Sequence, residues 1–178
     1  MAWNFDTAHS QVEFSVKHMM FSTAKGQFTK FDGSVELNEQ NPAASSVNVT
    51  IDVASINTND ERRDGHLKSP DFFDVATYPT ITFKSTKVET QGENHYKVTG
   101  DMTVRDVTRP VVLDVNLLGK FKDMHGAESY AFSITTAFSR KEFGLTWNVA
   151  LETGGVMVSD QVNINIETQV KAAAPVSA

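Results

Sequence analysis

The side chains best placed for chemistry fall in one stretch, residues 55–83, which reads SINTNDERRDGHLKSPDFFDVATYPTITF. It brings Arg62, Arg63 and Asp64, then His66, then the aromatic pair Phe72 and Phe73. A guanidinium offers a planar fork of donors that suits phosphate oxygens. Arg63, His66 and, further along, Arg140 are therefore candidates to hold a polar or anionic group. The same residues fit a plainer reading. Arg63 beside Asp64 ties a helix to its support, and Arg140 satisfies carbonyls at a strand end. Much of the DERRD run is a solvated helix face.

Other kinds of chemistry are poorly provided for. With no cysteine there is no disulfide, thiolate ligand or cysteine nucleophile. The five histidines, His9, His18, His66, His95 and His125, include no HxH or HxxxH pair, so no metal site is expected. Ser10 directly after His9 is no triad signal, because triad members are spatial rather than sequential neighbours. Neither a Gly-x-Ser-x-Gly elbow, a P-loop nor a dinucleotide motif is present. The expectation is a non-enzyme with no metal and no cofactor. A net charge of −6 argues against a nucleic-acid or anionic-membrane partner, because both need a basic face. No run is long and apolar enough for a membrane span. The opening MAWNFDTAHS lacks the basic and apolar regions of a secretory signal. The chain as given reads as cytoplasmic, and as periplasmic if it is a trimmed mature form.

The elements that must position these groups are strands. Apolar residues alternate with polar ones over most of the chain, the signature of half-buried β-structure. The first predicted strand follows a polar turn at 6–10 and turns Phe14, Val16 and His18 inward. An inward histidine is more often a hydrogen-bonded core residue, although an open lumen would make it a ligand contact. The second strand carries Phe28 at even parity and Phe31, Gly33, Val35 and Leu37 at odd parity. That switch requires an extra residue near Thr29 and Lys30, a β-bulge. A third strand faces Val49 and Ile51 inward.

After the third strand, Asp60 to Lys68 reads as a short helix, and Ser69-Pro70-Asp71 as the start of a second one that Tyr78-Pro79 ends. Leu67, Phe72 and Phe73 of this segment are expected to face the lining. The fourth strand points Ile81 and Phe83 inward, and the fifth points Tyr96, Val98, Gly100, Met102 and Val104. A turn at 106–110 leads to the sixth, with Val111, Leu113, Val115, Leu117, Gly119 and Phe121 inward. The seventh presents Tyr130, Phe132, Ile134 and Phe138. Its opposite face, Ser129, Ala131, Ser133, Thr135 and Ala137, is small and flat, a candidate dimer surface or a plain exterior. A loop over 140–155 holds Trp147, and the last strand faces Val156, Val158, Val162, Ile164 and Ile166 inward.

Eight mostly antiparallel strands let the last pair with the first and close the sheet, which removes its edges. The reading is all-β: one extended eight-stranded antiparallel β-barrel with a short helical insertion between the third and fourth strands. Residues 1–171 form a single domain and 172–178 a flexible tail. An eight-stranded barrel is just wide enough to be filled by side chains or to hold one ligand. Long strands favour the ligand. Inward glycines at Gly26, Gly33, Gly100 and Gly119 either leave it room or let strands bend at barrel corners. The 55–78 segment joins two strands that need only a hairpin, so it is expected to cover one barrel mouth.

These motifs resemble the YceI-like, polyisoprenoid-binding family nearly end to end: HSQVEFSVKHM, GQFTKFDGSV, the long INTNDERRDGHLKSPDFFDVATYPTITFKS, YKVTGDMTVRDVTRPVVLDV, SRKEFGL and VNINIE. The resemblance implies a lipocalin-like barrel around an apolar tunnel that holds a prenyl diphosphate, a quinone tail or another long-chain amphiphile. A fatty acid or fatty amide is the alternative ligand, and an enzyme acting on such a lipid the weaker one. It also implies a homodimer and a carrier or storage role. Asp106 stands where the family commonly has glycine, a substitution that matters if that turn needs positive φ.

Overall fold

A computed structural model describes residues 2–151 and 157–172. Among them are eleven strands: β1 (Ala2–Phe5), β2 (Gln11–His18), β3 (Ser22–Phe28), β4 (Phe31–Glu36), β5 (Ser46–Asp52), β6 (Ile56–Asn57), β7 (Thr80–Gly92), β8 (His95–Val104), β9 (Val107–Lys122), β10 (Glu128–Ser139) and β11 (Val158–Ala172). One α-helix, α1 (Glu61–Lys68), lies between β6 and β7. All the strands belong to one antiparallel sheet. The ring runs β1-β4-β5-β7-β8-β9-β10-β11 and returns from β11 to β1. It has eight members and is closed.

The three remaining strands extend members of that ring. β11 pairs along its first part with β2, from His18 opposite Val158 to Gln11 opposite Glu167, and at its end with β1. β2 therefore continues the line of β1 after a break. The break is built by Asp6, whose side chain caps the 3-10 turn Thr7–His9, and by Ser10, whose hydroxyl donates to the Asp6 carbonyl at 2.7 Å. β3 and β4 are likewise one line, interrupted at Thr29 and Lys30. There the two N–H groups turn to Ser55, at 3.3 Å to its carbonyl and 3.0 Å to its hydroxyl. This is the expected irregularity, and it carries the parity switch from Phe28 to Phe31.

In several places the local structure departs from the sequence reading. β1 has no counterpart among the strands expected from the alternation: Trp3 pairs with Val35 and Ala172 and is 1% exposed. Ala172, assigned to a tail, is thus part of β11, while residues 173–178 and the inward position expected for Val156 lie outside the described residues. No turn spans 106–110. β9 starts at Val107, and Pro110 pairs with Asp101 beyond the stretch where β10 covers the strand, so its missing N–H costs nothing there. The two-residue turn before β9 puts the positive φ on Arg105 (57°) and not on Asp106, so the absent glycine at Asp106 is harmless.

The second predicted helix does not form either. The Ser69 hydroxyl closes α1 by donating to the His66 carbonyl at 2.6 Å, and the chain then doubles back in turns, with Phe73 N–H on the Leu67 carbonyl at 3.0 Å and Asp74 at φ 49°. On a helix, neighbours such as Phe72 and Phe73 would diverge. The turns let both rings pack: Phe73 on Phe28 (6.2 Å between centroids) and Phe72 on Trp147 (5.3 Å).

A β-bulge also re-aims the end of β9. Phe132 pairs with Leu117 but Ala131 with Gly119, leaving Leu118 as the extra residue. Beyond it Lys120 faces the same way as Tyr130, its partner. Gly119 and Phe121, expected inward, are turned out: a Cβ on Gly119 would meet nothing within 4 Å, and Phe121 is 38% exposed. On the flat exterior of β10, Ser129 is fully buried, and only Thr135 and Ala137 of the five residues are exposed.

Candidate ligand-binding tunnel

A single cavity of about 910 Å³ runs through the barrel, from residues beside α1 at one end to the β4–β5 loop at the other. That volume is near the top of the range for small-molecule sites. Its wall is apolar and comes from every long strand. Three clusters build it. At the α1 end, Val12, Phe28, Ile56, Ile81 and Val111 pack with Leu67 and Phe73. Midway, Phe83, Val98 and Val115 pack with Val49 and Phe132. At the far end, Trp3, Tyr130 and Val170 pack with Phe5 and Leu117. Met102 and Leu113 touch both of the first two clusters and mark where they meet.

The α1 mouth holds most of the polar candidates. α1 begins at Asp60, whose carboxylate accepts from the N–H groups of Arg62 and Arg63, each at 3.1 Å. The Arg63 N–H holds that carboxyl below its usual range, with further help from nearby guanidinium charge. Glu61 and Asp64 near the start and His66 and Lys68 near the end suit the helix dipole. The helix buries none of its own residues and is fixed by polar ties. Asp64 accepts from both the N–H and the hydroxyl of buried Thr58. Arg63 donates from Nε to the Thr58 hydroxyl (2.8 Å) and from Nη2 to the Thr58 carbonyl (2.7 Å). So Arg63 is bound to Thr58 and not to Asp64, its guanidinium at the exposed rim of the cavity. His66 meets Asp71 at 2.9 Å and stands edge-on to Phe72 and Trp147, at 5.1 and 4.6 Å between centroids.

Arg140 is differently used. It is 3% exposed and spends four hydrogen bonds on carbonyls: Leu145 (2.7 Å), Trp147 (2.9 Å), Ser159 (3.0 Å) and Val158 (3.2 Å). Burial lowers its pKa, opposed by the charge of Asp160. The guanidinium ties the 140–147 segment to the start of β11, which is the plainer of its two sequence readings.

The far mouth was not anticipated. Glu39, on the β4–β5 loop, accepts from the Tyr130 hydroxyl and from Lys120 Nζ (3.3 Å), and Lys120 lies 5.3 Å from the Tyr130 ring centroid. The available signal was Leu117-Leu118, a doublet that breaks the alternation and announces the bulge that swings Lys120 inward.

All the sequence-predicted positions come together on the wall of this one cavity: Phe14, Val16 and His18; Phe28 and Phe31; Val49 and Ile51; Arg63, His66, Leu67, Phe72 and Phe73; Phe83; Tyr96, Val98 and Met102; Leu113 and Leu117; Phe132 and Phe138; Arg140 and Trp147. Sequence reasoning missed Thr58, Asp60, Arg62, Glu39 and Lys120 as lining residues. The glycines work otherwise than expected. A Cβ on Gly26 would stand 2.4 Å from Phe14 Cζ, one on Gly33 2.7 Å from a Phe5 ring carbon, and one on Gly100 2.4 Å from Phe83 Cζ. Gly26 and Gly100 are seats for a phenyl ring laid against the wall, whereas a Cβ on Gly33 would meet the Asn48 carbonyl oxygen even before the Phe5 ring. At those two seats the room goes to the ring and, through it, to the lumen that the ring would otherwise cross.

A closed eight-membered antiparallel barrel around an apolar hollow, with polar groups at its two rims, is a lipocalin-like architecture. Residues 3–170 match the YceI-like domain, and the chain belongs to that family. A UPF0312 protein of Photorhabdus laumondii is 43% identical over 135 residues, 76% of this chain and 70% of that one. The crystal structure of BcnA from Burkholderia cenocepacia superposes with a TM-score of 0.79 at 28% identity, over 93% of this chain and 98% of that chain. A polyisoprenoid-binding domain from Saccharophagus degradans shares the fold with a TM-score of 0.67 at 15% identity, over 96% and 98% of the two chains.

Proposed function

We propose that this protein binds one long-chain lipid, an isoprenoid above all, in the barrel tunnel, and carries or stores it without chemical change. The observation that carries this reading is the cavity: one continuous hollow of about 910 Å³ with an apolar wall from end to end. A hydrocarbon chain moved there from water is stabilised by about 0.8 kcal/mol per methylene. A flexible, methyl-branched thread suits a narrow sleeve lined by Val, Ile, Leu and Phe. The polyisoprenoid-binding domain of the Saccharophagus protein supports the same ligand class, through a shared fold.

The head of the lipid is assigned to the α1 mouth. Arg63 keeps its guanidinium at the rim, oriented through Nε and Nη2 by Thr58. His66 and Lys17 line the same end. Arg140 is left out of this role because its donors are spent on carbonyls. The wall of the hollow is predominantly apolar side chains, which suits holding a lipid, and binding is the reading we adopt. A second copy of the chain is a further proposed partner, tested by light scattering.

The direct experiment is mass spectrometry of an organic extract of the protein purified without detergent. A prenylated species is the expected result. An acyl species would move the assignment to a fatty acid or amide, and an empty barrel that also fails to take up added polyprenol would overturn the proposal.

A further inference from the structure

The β2–β3 hairpin ends in three consecutive large apolar residues, Met19, Met20 and Phe21, which are 42%, 47% and 91% exposed. Such a tip is unfavourable in water on two counts. It leaves two methionines and a phenylalanine in solvent. It also holds both methionines in the left-handed region, with φ 54° and 69°, where glycine or asparagine would normally serve.

The position of this tip matters. β2 and β3 run on beyond the level where β3 meets β6 at Phe28 and Ile56, with β11 beside β2 as far as His18, so the hairpin tip lies at the α1 end of the barrel. Lys17, His18 and Lys25, just below the tip, line the tunnel mouth. The tip is braced against the neighbouring segment, where Met19 N–H donates to the Met157 carbonyl at 2.8 Å and Val149 is 42% exposed.

Charge points the same way. The net charge of −6 disfavours an anionic surface for the chain as a whole, but residues 14–31 contain Lys17, Lys25 and Lys30 and no carboxylate, so this end of the hairpin is locally basic. Lys17 and Lys25 flank the tip on the two strands, and both are exposed. The acid beside them on β11, Asp160, is paired with Lys141 at 3.5 Å. An apolar point with lysines behind it has the pattern of a segment that enters a lipid surface bearing negative charge.

We propose that residues 19–21 insert into an anionic lipid bilayer and seat the α1 mouth of the tunnel on the membrane. The apolar side chains enter the acyl region while Lys17 and Lys25 stay at headgroup level. A lipid can then pass between bilayer and lumen without crossing water. The docking step itself does not depend on which lipid fills the barrel. A rival surface exists at the opposite end, where Leu118, Phe121 and Met124 are 65%, 38% and 98% exposed. There the cation Lys120 is engaged with Glu39 and Glu128, and the apolar residues are not contiguous.

Flotation with vesicles of phosphatidylcholine alone, or mixed with phosphatidylglycerol, tests this on the intact chain. The informative variant is Met19→Asn/Met20→Gly/Phe21→Ser. Asn-Gly accepts the positive φ angles, so this variant folds at least as well as the parent, and thermal melting verifies that. The parent is expected to float with the mixed vesicles and the triple variant to bind at least about tenfold more weakly. Binding to pure phosphatidylcholine, or in high salt, is expected to be several-fold weaker. Met124→Ser is expected to float like the parent. A Phe21→Trp variant should shift its emission to the blue on mixing with the vesicles. The proposal is overturned if the parent does not float, if the triple variant floats equally well, if neutral vesicles bind as tightly as anionic ones, or if Met124→Ser is the variant that loses binding. Extraction and mass spectrometry of the triple variant keep the two readings apart: it is expected to hold added polyprenol even though it no longer docks.

Discussion

Val49→Asp puts the dryness of the lumen to a quantitative test. Val49 lines the cavity, faces Phe83 and Gly33 on the neighbouring strands, and packs in the middle cluster, away from both polar rims. Asp is nearly the same size as Val, so the change alters polarity with little change in volume. In the ligand-free barrel the new carboxylate is wetted by solvent and titrates near 3.9. A bound hydrocarbon chain displaces that water, and the carboxyl must then be neutral, because a buried unpaired charge costs more than protonation. Protonating it at pH 7 costs about 1.36 kcal/mol for each of roughly three pH units, or about 4 kcal/mol. Affinity for a polyprenol should therefore fall about a thousandfold at pH 7. At pH 5 the gap to 3.9 is about one unit and the loss only about tenfold. Binding by the variant takes up a proton, so it tightens about a hundredfold between pH 7 and pH 5, while the parent stays flat for an uncharged ligand. Titration by displacement of an environment-sensitive apolar dye reads both numbers. Equal affinity of parent and variant at pH 7, with no pH dependence, would mean the chain does not pass Val49 or does not exclude water there, and the tunnel reading would fail.

Three further predictions concern the frame and the rim. Gly26→Ala drives a Cβ to 2.4 Å from Phe14 Cζ and 2.7 Å from Thr58 Cγ2; it should cost about 1–3 kcal/mol, lower Tm by roughly 2–4 °C per kcal/mol, and reduce lipid capacity as Phe14 swings into the lumen. Arg63→Ala should weaken a prenyl diphosphate about tenfold more than a quinone of equal length, since a charged hydrogen bond is worth about 1.5–3 kcal/mol; equal losses in a paired titration would confine Arg63 to its tie with Thr58. Lys171 joins Asp6 (3.1 Å) to Asp123 (3.3 Å) where the barrel closes. Burial of Asp6 works to raise its pKa, but hydrogen bonds from His9 and Lys171 outweigh it and lower it. Asp123 is lowered first by the N–H groups of Ala127 and His125, with Lys171 adding to them. Lys171 itself is raised by the two carboxylates. Depressed carboxylates stabilise the fold above their ordinary value near 4 and lose that contribution as pH falls through the lowered folded values. The raised lysine contributes below about 10.4 and loses that as pH rises further. Lys171→Met should thus flatten both limbs of the Tm–pH curve relative to the parent, and an unchanged acid limb would show that this bridge adds nothing at closure.

The barrel and its lining were legible because alternation with period two says directly which side chains share a face. From Val12 to Ile166 that rule placed nearly every wall residue, and a parity conflict at Thr29 and Lys30 even located a break. The features it missed have specific causes. β1 is four residues long, too short for a period to show, and its place is set by β11, more than 150 residues away. Pairing across the Leu118 bulge decided Gly119, Phe121 and Lys120, and a single strand does not announce its partner's register. The glycine seats needed the identity of the ring opposite each one. Arg140 fits both a ligand contact and a structural tie in the sequence, the tie being the stronger reading, and the four carbonyls around it decide between them.

The pairing of β1 with β11 also has a temporal meaning. A ribosome delivers Trp3 well over 150 residues ahead of its partner Ala172, so while the barrel strands between them are made the nascent chain carries a growing sheet with two unmated borders. Distant pairings of this kind slow folding and prolong the interval in which exposed strands can recruit strangers. The hazard should peak just before the final strand emerges, when seven of the eight members of the ring are present and the hollow still gapes along one side.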